Sequence, residues 1–264
     1  MTLSLNFKRK MEEITRSKIS NEELRELEAE VLEVPLVVLS HRTSVQEFVA
    51  QCSALGDGVS VLGLDTETKP AFKRGCSHKV SLLQLATADR ALLIRLEPIL
   101  SQEQLAPVKK LLEDQKITKV GVGIGDDAKG LWKDRQLRLN RMVDLRLLSK
   151  AAGIEVLSLS KLYAVLFGKR ISKGQRLSDW EREELTEAQL DYAALDAVAG
   201  LRIYQALEGW LNEEMYRDLE GLPKEKNKRS IRKSLKRGRT AGTSKTKEAK
   251  NRGKSKGSKV AKKK

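Results

Sequence analysis

The chain has 264 residues, enough for one sizeable domain with extensions, and 40% of them are hydrophobic, which suits a globular core. Its net charge of +15 is unevenly spread: residues 224–264 hold 19 Lys and Arg against the two acids Glu225 and Glu248, while residues 1–223 hold 32 basic and 34 acidic side chains. Two cysteines, Cys52 and Cys76, and two histidines, His41 and His78, exclude a disulfide framework and a Cys/His zinc set, and no apolar run reaches the roughly 18 residues of a bilayer span.

Residues 1–34 form a charged extension. Its start, MTLSLNFKRKMEEI, places basic residues after apolar ones, unlike a secretory signal. Ser20-Asn21-Glu22-Glu23 supplies a cap followed by acids, and Leu24, Leu27, Val31 and Leu32 a sparse apolar face, which predicts a short helix laid on the body. A main domain over residues 35–222 follows. Leu36–Leu39 predicts a strand, Thr43 to about Ala54 a helix, and Val59–Asp65 a strong strand. Strands at Lys79–Ala86 and Arg90–Leu96 are too close in sequence for a parallel crossover and predict a hairpin. A helix over Gln102–Asp114, a strand at Thr118–Val122, a helix over Asp127–Asp134 and a strand at Met142–Leu145 come next. Helices over Ser158–Phe167 and Thr186–Leu211 end the domain. A hairpin followed by alternating helices and strands indicates an α/β fold with a mixed sheet. Residues 223–264 have almost no apolar residues and predict a disordered basic tail with an anionic partner, nucleic acid first.

Three stretches are candidates for chemistry. In VLGLDTETKP, residues 61–70, Asp65 and Glu67 share a strand face while Thr66 points away. Two carboxylates this close repel, and a divalent cation is the natural compensation; a solvated strand end is the alternative. On the last helix, Tyr192 and Asp196 lie four apart on one face, among alanines and Gly200 that permit close helix packing. A buried Asp there needs a partner or a metal, and a plain helix-surface residue is the alternative. Between them, KVGVGIGDD runs a strand into a helix whose first acids, Asp126 and Asp127, equally fit simple helix-dipole complementarity. It is not a dinucleotide fingerprint, because Asp126 stands where the third glycine would be.

The order of these stretches, D-x-E, then Asp, then Y-x-x-x-D, resembles the DEDDy 3′–5′ exonucleases of the ribonuclease H-like superfamily. The similarity is greatest to the Werner-type exonuclease domain and its small bacterial relatives. It spans roughly Val37 to Leu207 and includes GLDTETKPAFKRG before VSLLQL, then KVGVGIGDD, and LSDW before LTEAQLDYAALDA. It implies a five-stranded mixed central sheet flanked by helices. It implies hydrolysis of terminal phosphodiester bonds at single-stranded 3′ ends of DNA or RNA, releasing nucleoside 5′-monophosphates. Two divalent ions, Mg²⁺ or Mn²⁺, would be held by Asp65, Glu67, Asp127 and Asp196. Asp65 would bridge both, and Tyr192 would orient the attacking water. The spacing to Leu131 and Trp132 favours Asp127 over Asp126. Phe72 and Leu64 are candidates to flank the terminal base, with core packing equally open to Leu64. Lys73, Arg74, Lys169, Arg170 and Lys173 are candidates for phosphate contacts, with a solvated surface role as the alternative. Trp180 is expected to pack.

Two other readings compete: a non-catalytic nucleic-acid- or ribosome-binding protein on a nuclease scaffold, and a tRNA-processing type of exoribonuclease. Retention of all four carboxylates and the tyrosine counts against the first. The turn to a basic tail after about residue 222 leaves no room for the second's extra helical domains. The composition implies no membrane association, a reducing cytoplasmic setting, or a nuclear one in a eukaryote; it is silent on oligomeric state.

Overall fold

Apolar runs in alternation with capped helices build a seven-stranded sheet in the computed structural model, which describes residues 17–73 and 75–218. The basic tail and Arg74 lie outside the described residues. The strands are β1 (Leu36–Leu39), β2 (Val61–Thr68), β3 (Val80–Ala86), β4 (Ala91–Arg95), β5 (Thr118–Gly121), β6 (Met142–Asp144) and β7 (Tyr216–Arg217). Their order is β1-β4-β3-β2-β5-β6-β7. The β2/β3, β3/β4 and β6/β7 pairs are antiparallel and the others parallel, so the sheet is mixed as expected. The resemblance implies five strands and the residue pattern six, β1 included; the sheet has seven because the two-residue β7 also adds to β6 at one edge.

All seven residues of β3 are buried, as a central strand covered on both faces requires. The helices are α1 (Asn21–Glu26), α2 (Val45–Gly56), α3 (Gln102–Glu113), α4 (Ile124–Arg135), α5 (Leu145–Ala151), α6 (Leu159–Phe167) and α7 (Glu187–Leu207). Residues of α2, α3 and α4 pack with Leu62, Leu64, Leu83 and Leu85 on one face of the sheet. On the other face, Ala193, Ala194, Ala197 and Val198 of α7 pack against Leu82, Ala86 and Leu93. Four helix starts follow sequence-readable caps: Ser20, Ser44, Ser101 and Thr186 accept from the backbone N–H three residues on.

The charged extension is tied down through Glu30, only 8% exposed. Its carboxylate accepts from Tyr163 Oη at 2.6 Å and Lys169 Nζ at 3.2 Å, and Arg202 lies 3.5 Å away. Helix α1 itself buries no residue. Both cysteines are free thiols. Among the described residues no helix is long and apolar enough to cross a membrane.

Candidate active site

A glycine without a side chain sets the site's depth. A Cβ on Gly63 would lie 2.1 Å from the backbone oxygen of Ala197, so α7 rests directly on β2. That approach puts Asp196, the residue before Ala197, beside the strand that carries Asp65 and Glu67. Gly63, Asp65 and Glu67 alternate onto the α7 face, and Leu64 and Thr66 onto the other. A bulge just after Glu67 interrupts the pairing with β3, a device that re-aims side chains at sheet ends.

The third element arrives from the opposite layer. Gly123, in the left-handed region at φ 79°, turns β5 into α4 and caps that helix. Asp126 and Asp127 both fall in its first turn, where the helix dipole favours anions. Their fates differ. Asp126 is exposed and lies 3.6 Å from Lys129, whereas the Asp127 carboxylate accepts from Thr66 Oγ1 at 2.6 Å. The residue expected merely to point away from the carboxylates thus grips the one that comes from below the sheet. Nothing in the spacing of D-T-E signals that role.

The electrostatics show that these groups share one site. Asp65 is pushed well above the usual carboxylate range by burial and then by Asp127, Asp196 and Glu67. Glu67 is pushed up to about 8 by burial, Asp196 and Asp127, with Arg176 opposing. Burial lifts Asp196 to about 7, against a hydrogen bond from Tyr192 and the charge of Lys173. Asp127 rises to about 6, again chiefly from burial, while Thr66 opposes the shift. The Tyr192 hydroxyl is held on the neutral side by burial and by the charges of Asp196 and Glu67. Burial thus raises all four carboxylates, which come from three separate elements, and like charge from the other carboxylates adds to it at Asp65 and Glu67. Among the described residues no three such groups have closed around a common point. Hard oxygen donors in mutual repulsion nevertheless fit divalent ions of the Mg²⁺ type by donor chemistry.

The remaining sequence candidates separate. Lys173 faces Asp196, and Arg176, which sequence reasoning missed, faces Glu67; both lie in the connection between α6 and α7. Phe72, 82% exposed, and Lys73 line a cavity of about 370 Å³ with Leu177 and Cys76. Its rim is pinned by Lys69 to Asp179 at 2.8 Å, and His78 bonds Glu181 at 3.0 Å. Leu64 is 2% exposed and sits in the core on the face away from Asp65, so it is not open to a base. Lys169 and Arg170 are also redirected. Lys169 pairs with Glu30, and Arg170 donates Nε to the Leu27 carbonyl at 2.9 Å, so both hold the N-terminal extension rather than facing the carboxylates. Trp180 is fully buried, as expected of a packing residue. A larger cavity of about 770 Å³ between α2 and α3 is lined by none of the four carboxylates.

Known proteins share this family and this fold. The 3′–5′ exonuclease family matches residues 38–212. The mouse bifunctional 3′–5′ exonuclease/ATP-dependent helicase WRN is 35% identical over 178 residues, 65% of this chain and 12% of that protein. This chain spans about half or less of the length of further curated relatives, 54% in one and 25% in another. The crystal structure of the Nibbler EXO domain of Aedes aegypti superposes with a TM-score of 0.61 at 26% identity, covering 69% of this chain and 93% of that one. The structure of NrnC from Brucella melitensis with bound Mg²⁺ gives a TM-score of 0.54 at 22% identity, over 69% of this chain and 84% of that one. The chain thus has a ribonuclease H-like exonuclease fold and belongs to the 3′–5′ exonuclease family.

Proposed function

We propose that this chain removes nucleotides one at a time from single-stranded 3′ ends of nucleic acid, as 5′-monophosphates. The observation that supports this reading is the charge that Asp127, Asp196 and Glu67 exert on buried Asp65, which links four hard ligands electrostatically. Asp65, subject to all three of the others, would hold divalent ions together with Glu67, Asp196 and Asp127. Bound there, the ions would make hydroxide available near neutral pH and neutralise the leaving 3′-oxygen. Tyr192 remains a protonated phenol, so it orients the attacking water by hydrogen bonding and does not act as its base. Lys173 and Arg176 present positive charge on the same side and fit the phosphate being cleaved. Phe72, exposed at the cavity of about 370 Å³, offers a ring for a base to stack on.

The test uses 5′-labelled single strands of identical sequence as DNA and as RNA, with Mg²⁺ or Mn²⁺. Stepwise shortening of at least one polymer, blocked by EDTA and by a capped 3′ end, is expected. Inactivity on both polymers with either metal overturns the proposal, and the ratio of the two rates assigns the substrate.

A thermal experiment follows from the same groups. Their folded-state values, about 6, 7 and 8 for Asp127, Asp196 and Glu67, lie above the roughly 4 of an unfolded carboxylate. The raised groups contribute stability that is complete below about pH 4 and is lost as pH climbs through the folded values. Metal-free protein should therefore melt at a lower temperature at pH 8 than at pH 5. Mg²⁺, which binds the ionised form, should raise the melting temperature by more at pH 8. A Mg²⁺ increment that shrinks with rising pH would contradict the shared-site account.

A further inference from the structure

Four buried side-chain polar atoms have no hydrogen-bond partner among the described residues: Gln84 Nε2, Gln84 Oε1, Arg95 Nε and Trp180 Nε1. They gather in one layer. Gln84 sits between Leu82 and Ala86 in the alternation of β3, on the face that packs with Trp180 against α7. Arg95 is the ladder partner of Leu82 on β4, and its guanidinium donates to the carbonyls of Arg182 and Glu183, close in sequence to Trp180. Of these residues Gln84 has both polar atoms unmatched while wholly buried. A carboxamide in that state disfavours folding, and an apolar side chain of the same size would suit the surroundings better.

The ladder shows what the carboxamide faces. Gln84 is paired directly with Asp65 across β2/β3, so their side chains share a sheet face with Cβ atoms about 4.5–5.5 Å apart. On its other flank, towards β4, Arg95 stands diagonally across the β3/β4 ladder with a donor-only side chain, and Trp180 packs on the same face. Turning Oε1 to the donor side aims Nε2 across the ladder at the Asp65 carboxylate, a hydrogen bond that the structure itself does not contain. Asp65 has room for it. The only donor to its carboxylate among the described residues is the Thr66 N–H at 2.9 Å. An ionised carboxylate has about four acceptor sites, enough for two ions, that N–H and one more donor.

We infer that Gln84 is a positioning residue for Asp65: its carboxamide N–H holds the ionised carboxylate in the orientation that presents its free lone pairs to the divalent ions. The inference rests on the nuclease reading above. Gln84 touches no substrate; it acts through Asp65, and its folding cost is the counterpart of a fixed ligand.

The decisive variant is Gln84→Met, which keeps the volume and removes both polar atoms. The metal-free protein should melt no lower than the native chain. Its kcat on a labelled single strand should fall about 10–100-fold, the usual range for loss of a residue that orients a metal ligand, with KM little changed. Mn²⁺ affinity, measured by calorimetry on metal-free protein without substrate, should weaken about tenfold in parallel. A melting temperature clearly below native, or a failure to fold, shows that Gln84 serves packing and overturns the assignment. Native kcat and native Mn²⁺ affinity in a folded variant overturn it too. The native chain run alongside separates the two readings. If it neither binds Mn²⁺ nor shortens the strand, the nuclease proposal fails; if it does both and the variant matches it, only the role of Gln84 fails.

Discussion

Asp65→Asn should abolish strand shortening while leaving the protein folded and more stable without metal. The loss should be at least about 10³-fold, because bound ions supply several kcal/mol of transition-state stabilisation at about 1.4 kcal/mol per tenfold in rate. No other position is expected to do as much, since Asp65 alone is raised by all three of the other carboxylates. Stability should move the opposite way. The amide keeps the shape and removes the charge that Asp127, Asp196 and Glu67 oppose, so a gain of about 0.5–2 kcal/mol is expected for metal-free protein near pH 8. Circular dichroism melts in EDTA, beside a gel assay with Mg²⁺, check both halves. An inactive and destabilised variant would point to a structural carboxylate.

Gly63→Ala should be nearly as damaging, though Gly63 carries no chemistry. The new methyl group would stand 2.1 Å from the Ala197 backbone oxygen and 3.1 Å from Leu201 Cβ, so α7 itself must move. Overpacking of this kind costs about 1–3 kcal/mol. The displacement also carries Asp196 and Tyr192 away from Asp65, and a shift of 1 Å in a reacting geometry is worth about 10²-fold in rate. The expected variant is folded, melts lower and has kcat reduced about 100-fold. Native kcat in a folded variant would show that the contact between β2 and α7 does not set the site.

The parts of the site legible in sequence are those with a local period. Asp65 and Glu67 follow from the two-residue repeat of a strand, and Tyr192 and Asp196 from the four-residue spacing of a helix. The caps at Ser20, Ser101 and Thr186 were equally readable, because each places Glu or Gln three residues on. What escaped has no such period. Strand β7 is two residues long and exists only because Met142 and Val143 are there to pair with it. Helix α5 is hidden because Asp144 both ends β6 and caps the helix, accepting from the Arg146 N–H. Lys169 and Arg170 look like phosphate ligands in a basic stretch, and only the fold reveals Glu30 and Leu27 beside them. Thr66, Gln84 and Arg176 are the converse case: unremarkable in sequence, they gain meaning from what the sheet and the connection before α7 set against them.

The claim that the carboxylates hold ions at the bond being broken is tested most directly by substituting sulfur for the 3′-oxygen of the terminal phosphodiester. Mg²⁺ prefers oxygen and tolerates sulfur poorly, whereas Mn²⁺ accepts the softer atom better. The account predicts that this substrate is cleaved far more slowly than the all-oxygen strand in Mg²⁺, and that Mn²⁺ restores most of the rate. Equal slowing in the two metals would contradict an ion on the leaving oxygen, and with it the role assigned to Asp65, Glu67, Asp127 and Asp196.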